Sequence, residues 1–289
     1  MGQALVVGVI AGGIYGLYAL GLVLVFKGSG VLNFAHAEVG MLALLVAQNV
    51  IVGHGQPYLV GAGAALLTAV VVGVAFERAA VWPLRAAPRM SVVVATIALL
   101  SLLIAMELRI FGGLPRLLDP PIHGNGITVF DVIVSPTQIV SLIVVAVVGL
   151  ALAAFLRFTD FGLSVLAAAQ DQEALRFLGI RLARVSIFTW GVAAALSALA
   201  ALLIQPTIGA IAPNAFGVLF IKALGAALIG GLFSMPGAFV GGLVVGIAEA
   251  EIRHATVSSS LTGLPELCIF GVVVLVLTLR PQGLLGRTR

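Results

Sequence analysis

Ionisable residues inside apolar stretches are the first candidates for chemistry in this sequence. They are few: His36 and Glu38 open one apolar stretch, Lys222 interrupts another, and Glu249 and Glu251 stand at the end of a third. Such groups are costly in a membrane, where they usually face a cavity or a partner. His36 with Glu38 is the best candidate for a proton-carrying pair. The alternative, in which the two only cap the start of their stretch, stays open.

Motifs for other kinds of chemistry are missing. A P-loop requires Gly-x-x-x-x-Gly-Lys-Ser/Thr, whereas the two lysines, Lys27 and Lys222, follow Phe26 and Ile221. The four histidines are scattered, so there is no His-Glu-x-x-His metal helix. We therefore expect no catalytic residue, no metal site and no cofactor on this chain, and we expect it not to be an enzyme.

The composition says which elements must position the ionisable residues. Of the 289 residues, 61% are apolar and 9% are charged, whereas a soluble domain is about 45–50% apolar and about 25% charged. This excludes a soluble enzyme, a DNA-binding module and a disordered chain. The net charge is +4, but the basic residues are few and lie between apolar stretches. They are therefore expected to set the orientation in a membrane.

A helix needs about 20 apolar residues to cross a bilayer. The sequence predicts an all-α polytopic membrane protein with about 8–10 membrane-spanning helices or half-helices, and the candidate stretches are 4–26, 31–52, 58–76, 90–106, 138–156, 185–204, 218–233, 237–248 and 264–280. Three of them suit half-helices or re-entrant pieces. Stretch 31–52 opens with polar residues, 218–233 contains Lys222, and 237–248 is short.

The distribution of basic residues predicts the orientation. Eleven of the 15 basic residues fall in the stretches 27–30, 77–89, 157–184 and 280–289. The positive-inside rule places these stretches, and hence the C-terminus, in the cytoplasm. The number of spans and the side of the N-terminus stay open. On the opposite side, four prolines and an alternating apolar pattern predict a small extracytoplasmic hairpin near 112–137.

The longest cytoplasmic stretch, 157–184, reads as a short helix. Thr159 or Asp160 can cap its start, and Gly179 suits its stop. Leu163, Leu166, Ala167, Ala174 and Leu178 are expected near one face. Such a helix could lie on the membrane, pack on its own bundle or dock into a groove of a partner.

Five blocks, in order along the chain, carry a resemblance to a known family. They are residues 15–40; Glu77-Arg78 with Pro83-Leu84-Arg85; residues 167–180; Gly230-Gly231 with Pro236-Gly237-Ala238, Gly241-Gly242 and Gly246-Ile247-Ala248-Glu249; and residues 280–286. They resemble the permease subunits of ATP-binding-cassette (ABC) importers for branched-chain amino acids. Departures from the family pattern are Ala37, Val81-Trp82, Leu163 and Leu166.

The resemblance implies one transmembrane permease domain over 1–289, a bundle like that of type II importers, in the bacterial inner membrane. Its partners would be a homologous or identical second permease subunit, two cytoplasmic ABC ATPase subunits that bind the ATP, a periplasmic substrate-binding protein and membrane lipid, but no nucleic acid. Branched-chain or other hydrophobic amino acids would be the substrate. The alternatives are an ABC permease for urea, amides or another small solute, a stand-alone secondary carrier, and, last, a non-transporting scaffold.

Two groups of residues are assigned roles on this basis. The substrate pathway is expected beside Gly12 and Gly16, with polar contacts from Asn33, His36 and Glu38; alternatively these polar residues only fix a sharp helix start. The resemblance implies that 157–184 is the coupling segment to the ATPase. Its expected coupling residues are Gln170, Asp171, Glu173, Ala174, Arg176 and Gly179.

Overall fold

The computed structural model describes residues 2–122, 124, 126–129, 132–168, 170, 175, 177–213, 215–255, 264–280 and 283. Helices dominate this part of the chain, as the composition predicts. They are α1 (Gly2–Ser29), α2 (His36–Gln48, extended by a π-turn over Asn49–Gly53), α3 (Tyr58–Phe76, extended through Glu77–Val81 and Trp82–Leu84), α4 (Arg89–Phe111), α5 (Pro136–Phe158), α6 (Asp160–Ala168), α7 (Leu182–Ile208), α8 (Gly217–Gly230), α9 (Met235–Ala255) and α10 (Leu264–Leu279).

Short strands occupy the loops. β1 (Arg116–Leu117) pairs antiparallel with β4 (Ala210–Ile211). β2 (Ile127–Val129) and β3 (Val132–Val134) form an antiparallel hairpin with Ile127 opposite Val134. The hairpin predicted within 112–137 is therefore confirmed.

Seven of the described helical segments are long and apolar enough to cross a membrane. They are Gly2–Ser29, His36–Gly53, Tyr58–Leu84, Arg89–Phe111, Pro136–Phe158, Leu182–Ile208 and Met235–Ala255. Gly217–Gly230 is a shorter apolar helix of 14 residues, and Leu264–Leu279 has 16. The predicted class, an all-α polytopic bundle of spans and half-helices, is confirmed.

Two predicted boundaries are wrong. Stretch 90–106 continues as helix to Phe111, which brings Glu107 inside the span. Stretch 237–248 is part of a full 21-residue helix rather than a half-helix. Charged residues ended both stretches in the sequence, but Glu107 and Glu249 are buried within the helices, where neighbouring side chains interact with them.

The chain divides into two compact units. The first unit consists of Met1–Leu20, Pro120–Leu150 and Ile221–Arg289, and the second consists of Gly21–Asp119 and Ala151–Phe220. The prediction of a single permease domain stays a prediction.

The close approach of α1 and α9 characterises the first unit. A methyl group added at Gly12 would lie 2.8 Å from the Cα of Leu243, and one added at Gly8 would lie 2.8 Å from the Cα of Ile247. Gly242 and Gly246 on α9 meet the backbone of α1 in the same way. Membrane helices lack a hydrophobic force that draws them together, so small residues let their backbones pack. The glycines of α1 and α9 therefore let the two helices pack with their backbones in contact.

Helix α2 is the centre of the second unit. It packs against α3, α7 and α4, and all its residues except Val46 are buried. A helix that is apolar all round is typical of such a fully enclosed position. In the same unit, Trp190 of α7 is buried in a cluster with Val25, Val81 and Val92.

Candidate functional site

The first block of polar residues forms the start of α2. The Asn33 side-chain oxygen accepts a hydrogen bond of 3.0 Å from the backbone N–H of Ala35. The backbone N–H of Phe34 donates to Thr96 Oγ1 on α4, at 3.4 Å. Asn33 is buried, so its amide satisfies a backbone donor that the sharp helix start would otherwise leave unpaired.

His36 is buried at the point where α1, α2 and α7 meet within the second unit. Its ring stands against Gly21 so closely that a methyl group there would lie 2.6 Å from the ring carbon Cε1. The His36 carbonyl accepts a hydrogen bond of 2.5 Å from the hydroxyl of Ser197. This absence of a side chain at position 21 makes room for the imidazole.

Glu38 is buried two residues further along α2, and its side chain interacts with that of Glu107 on α4. A carboxyl group on α2 thus interacts with one on α4 in the interior of the second unit. Sequence reasoning missed Glu107 because it was assigned to a loop. A signal for a longer helix was present in the sequence, because Glu107 continues a spacing of three or four residues. The residues with this spacing, all of them buried, are Thr96, Leu99, Leu103, Glu107 and Phe111.

The two glycines of the predicted pathway lie in the first unit, whereas Asn33, His36 and Glu38 lie in the second. A methyl group at Gly16 would lie 2.8 Å from Phe239 Cδ2, and one at Gly12 would meet the backbone at Leu243. Both glycines therefore serve the packing of α1 on α9. The assignment of all five residues to a substrate pathway stays a prediction.

A buried ionic cluster in the first unit connects α1, α8 and α9. Glu249 Oε1 accepts from Lys222 Nζ at 2.6 Å and from Arg253 Nη2 at 2.7 Å. Glu249 Oε2 accepts a hydrogen bond of 2.8 Å from the Tyr15 hydroxyl. Lys222 and Glu249 were singled out in the sequence as separate ionisable residues. Nothing in the sequence indicates that they pair across 27 positions or that Tyr15 completes the cluster.

The coupling segment is anchored to the ends of α5 and α7. A side chain at Gly162 would collide with the carbonyl of Phe155, so α6 begins directly against α5. The ring of Phe188 on α7 packs 5.2 Å from Phe155 and 5.1 Å from Phe161. The Thr159 hydroxyl accepts from the Gly162 N–H at 3.0 Å, as predicted for a residue that caps this helix.

The helix predicted between the cap at Thr159 or Asp160 and the stop at Gly179 is interrupted. Helix α6 ends at Ala168, and Gln170 lies in an exposed turn. Among the residues of this segment that the structure describes, Gly162, Val165, Ala168 and Leu175 are buried. They lie one step from the predicted face, whereas Leu163 and Leu178 are exposed. The reason is the contact at Gly162, which turns that face toward α5.

The described coupling residues are Gln170 and Gly179. Gly179 has φ +76°, and Ile180 N donates to the Leu175 carbonyl at 3.1 Å, which is a glycine stop as predicted. Asp171, Glu173, Ala174 and Arg176 lie outside the described residues. Sequence reasoning missed Phe177, which is 91% exposed.

Comparison with known proteins decides the family. The profile of the family described as "Branched-chain amino acid transport system / permease component" matches residues 4–278. The chain belongs to this family.

Similar members of the branched-chain amino acid permease family cover almost the whole chain. The high-affinity branched-chain amino acid transport system permease protein LivH of Salmonella typhimurium is 32% identical over 97% of this chain and 94% of its own length. LivH of Escherichia coli K12 gives the same values. BraD of Pseudomonas aeruginosa is 30% identical over 99% of this chain and 95% of its own length.

A solved structure supports the fold. It is titled "PsaBC from Streptococcus pneumoniae in complex with Fab", and it matches with a TM-score of 0.50 at 13% identity, over 96% of this chain and 94% of that chain. At this identity the likeness concerns the fold alone. It agrees with the bundle expected for a branched-chain amino acid permease.

Proposed function

We propose that this chain is the transmembrane permease subunit of an ATP-driven importer of branched-chain amino acids. The observation that carries the proposal is the family match over residues 4–278, together with relatives of this function that align over nearly the full chain. Seven apolar helical spans are consistent with a multi-pass protein of a bacterial inner membrane. The excess of basic residues in 157–184 and 280–289 supports a cytoplasmic C-terminus.

The proposed complex has a second permease subunit, two ATPase subunits that bind ATP and a periplasmic binding protein that delivers the amino acid. The chain itself carries no P-loop motif, and in the proposed complex the ATP is bound by the partner ATPase subunits. The exposed side chains of Phe177 and Leu178 in the coupling segment, 91% and 74% accessible, are an apolar contact for such a partner.

Coupling requires that a partner's closure be transmitted to the spans. The coupling segment is joined to α5 through Gly162 and to α7 through the ring of Phe188. Movement of this segment would therefore displace the ends of both helices. A ligand can shift such an equilibrium only by contacts that differ between the two states, and the proposed contacts are those of Gln170, Asp171, Glu173, Ala174, Arg176 and Gly179.

The proposed pathway for a hydrophobic amino acid is mostly apolar with few polar groups, because tight binding midway would hinder release. Asn33, His36 and Glu38 supply polar groups at the start of α2. Gly12 and Gly16 contribute because they have no side chains, which lets α9 pack closely on α1.

The proposal is tested by co-expressing the chain with candidate ATPase and binding-protein partners and isolating it in mild detergent. We expect an ATPase subunit to co-purify, and the reconstituted complex to take up labelled leucine. Unlabelled isoleucine and valine should compete, whereas urea and acetamide should not. Competition by urea or acetamide alone would refute the substrate class, and isolation of a functional chain without an ATPase would refute the subunit assignment.

A further inference from the structure

A cavity of about 110 Å³ lies in the second unit where several helices end. Its walls come from the last turn of α1, the end of the α3 segment, the start of α4 and the first turn of α7. None of the described residues assigned to the substrate pathway or to ATPase coupling lines it, although Leu182 belongs to the stretch 157–184.

The position of the cavity follows from the spans that meet there. Gly2–Ser29 and Tyr58–Leu84 end at the cavity, and Arg89–Phe111 and Leu182–Ile208 begin at it. Helices of this length have their ends in the headgroup region of a bilayer. The cavity therefore opens at the level of the lipid phosphates in one leaflet.

The polar part of the cavity carries positive charge. Arg85 and Arg89 line it, and none of the acidic residues that the structure describes does. Among the described residues neither guanidinium forms an ion pair with a carboxylate. Glu77, which is buried nearby in the same helical segment, is not part of the lining.

The surroundings hold the two arginines in place. The Arg85 guanidinium lies 3.6 Å from the centre of the Trp82 ring. The Arg89 guanidinium is beside Gly30, where a methyl group would lie 3.8 Å from its central carbon. Pro88 and Arg181, which precede α4 and α7, make no side-chain capping hydrogen bond, so the first N–H groups of both helices add partial positive charge.

Most of the other lining side chains are apolar. Val31, Val81, Val92, Leu182 and Val185 line the cavity, and Ser29 and Ser186 are polar residues among them. A small hydrated anion gains no favourable contact with these apolar side chains. The glycerol and first methylenes of a phospholipid would cover them. Basic pockets between membrane helices are typical sites for anionic headgroups, and an indole at this level is typical of the interface.

We propose that this cavity binds the headgroup phosphate of an anionic phospholipid, with Arg85 and Arg89 as its ligands. The lipid joins the ends of α1, α3, α4 and α7 at the membrane surface. Occupancy therefore stabilises the second unit, and it does so through a molecule supplied by the surrounding leaflet.

The test compares lipid retention by the full chain purified in detergent and exposed to phosphatidylglycerol or phosphatidylcholine, read by native mass spectrometry. The wild-type chain should retain one phosphatidylglycerol in preference to phosphatidylcholine. A cationic side chain that contacts an anionic lipid contributes about 1 kcal/mol, or about a fivefold preference. Arg85→Gln or Arg89→Gln should therefore lower the preference for phosphatidylglycerol about fivefold. The double variant should lower this preference about thirtyfold.

Arg157→Gln is the matched control. Its guanidinium also lies near a ring, 5.7 Å from the centre of Phe158, but outside the cavity, so this variant should retain the lipid as wild type does. A double Arg→Lys variant of the cavity should keep most of the preference, which separates loss of charge from misfolding. Inorganic phosphate at millimolar concentration should not displace the lipid.

Three results would overturn the proposal. They are an equal loss in Arg157→Gln, no preference for phosphatidylglycerol in the wild-type chain, and full displacement by inorganic phosphate. The last would make the cavity a site for a free anion.

Discussion

The ammonium group of Lys222 lies 2.6 Å from Glu249 Oε1, on a different helix, and both residues are buried. The Tyr15 hydroxyl donates a hydrogen bond to Oε2, the second oxygen of the same carboxylate. Removing one partner of a buried ion pair leaves an uncompensated charge, whereas replacing both partners with apolar residues is often neutral. Lys222 and Glu249 therefore depend on each other where α8 meets α1 and α9.

Glu249→Leu is expected to lower the free energy of unfolding by about 3–5 kcal/mol, because Lys222 stays buried without its carboxylate. The double variant Lys222→Met/Glu249→Leu should recover most of this loss. Reversible unfolding in mixed micelles measures both. Glu251→Leu, two residues further along α9 and without an ion pair among the described residues, is the control and should unfold like the wild type. Equal stability of Glu249→Leu and wild type would contradict the role of the cluster.

Gly12→Val is expected to destabilise the chain by about 1–3 kcal/mol, since the added carbons would meet the backbone at Leu243. Gly63→Val on α3 is the control, because nothing lies within 4 Å of a methyl group there. Unfolding in mixed micelles and the monodisperse fraction in size-exclusion chromatography distinguish the two. If both variants behaved alike, α1 and α9 would not be packed through their glycines.

Gly179→Val should abolish the stimulation of the partner ATPase, because φ of +76° is strained for a branched side chain. Gly179→Asn is the matched variant: asparagine tolerates this conformation, and no atom lies within 4 Å of the added carbon, so stimulation should persist. Stimulation of ATP hydrolysis by loaded binding protein is the readout. Unchanged stimulation in Gly179→Val, or in a charge reversal of Asp171 and Glu173, would remove the segment from the coupling mechanism.

His36→Ala and Glu38→Gln should each lower the initial rate of leucine uptake at least about tenfold at wild-type expression. A lost polar contact of about 1.4 kcal/mol in the transport barrier has this effect. Thr68→Val is the control, because the Thr68 hydroxyl only bonds the Ala64 carbonyl of its own helix. Normal uptake by both variants would mean that the polar start of α2 only shapes the helix and never meets the substrate.

The sequence predicts the parts of this fold that depend on local chemistry. Apolar length gives the spans, the proline-bounded alternating stretch gives the hairpin, and Gly179 gives a helix stop. The sequence does not predict the features that depend on contacts with residues far away in the chain. Whether a charged residue ends a span or continues inside it is decided by a neighbouring helix, as for Glu107 and Glu249. The buried face of α6 is likewise set by the backbone contact at Gly162, not by the helix's own apolar pattern.

The most direct test of the account is uphill uptake of leucine into proteoliposomes under two conditions. With the permease, its ATPase and binding protein reconstituted, and with ATP on the side of the ATPase, we predict accumulation of leucine against its gradient. The permease chain alone, given a proton or sodium gradient and no ATP, should accumulate none. Ion-driven accumulation by the chain alone would contradict the claim that its energy comes from a partner.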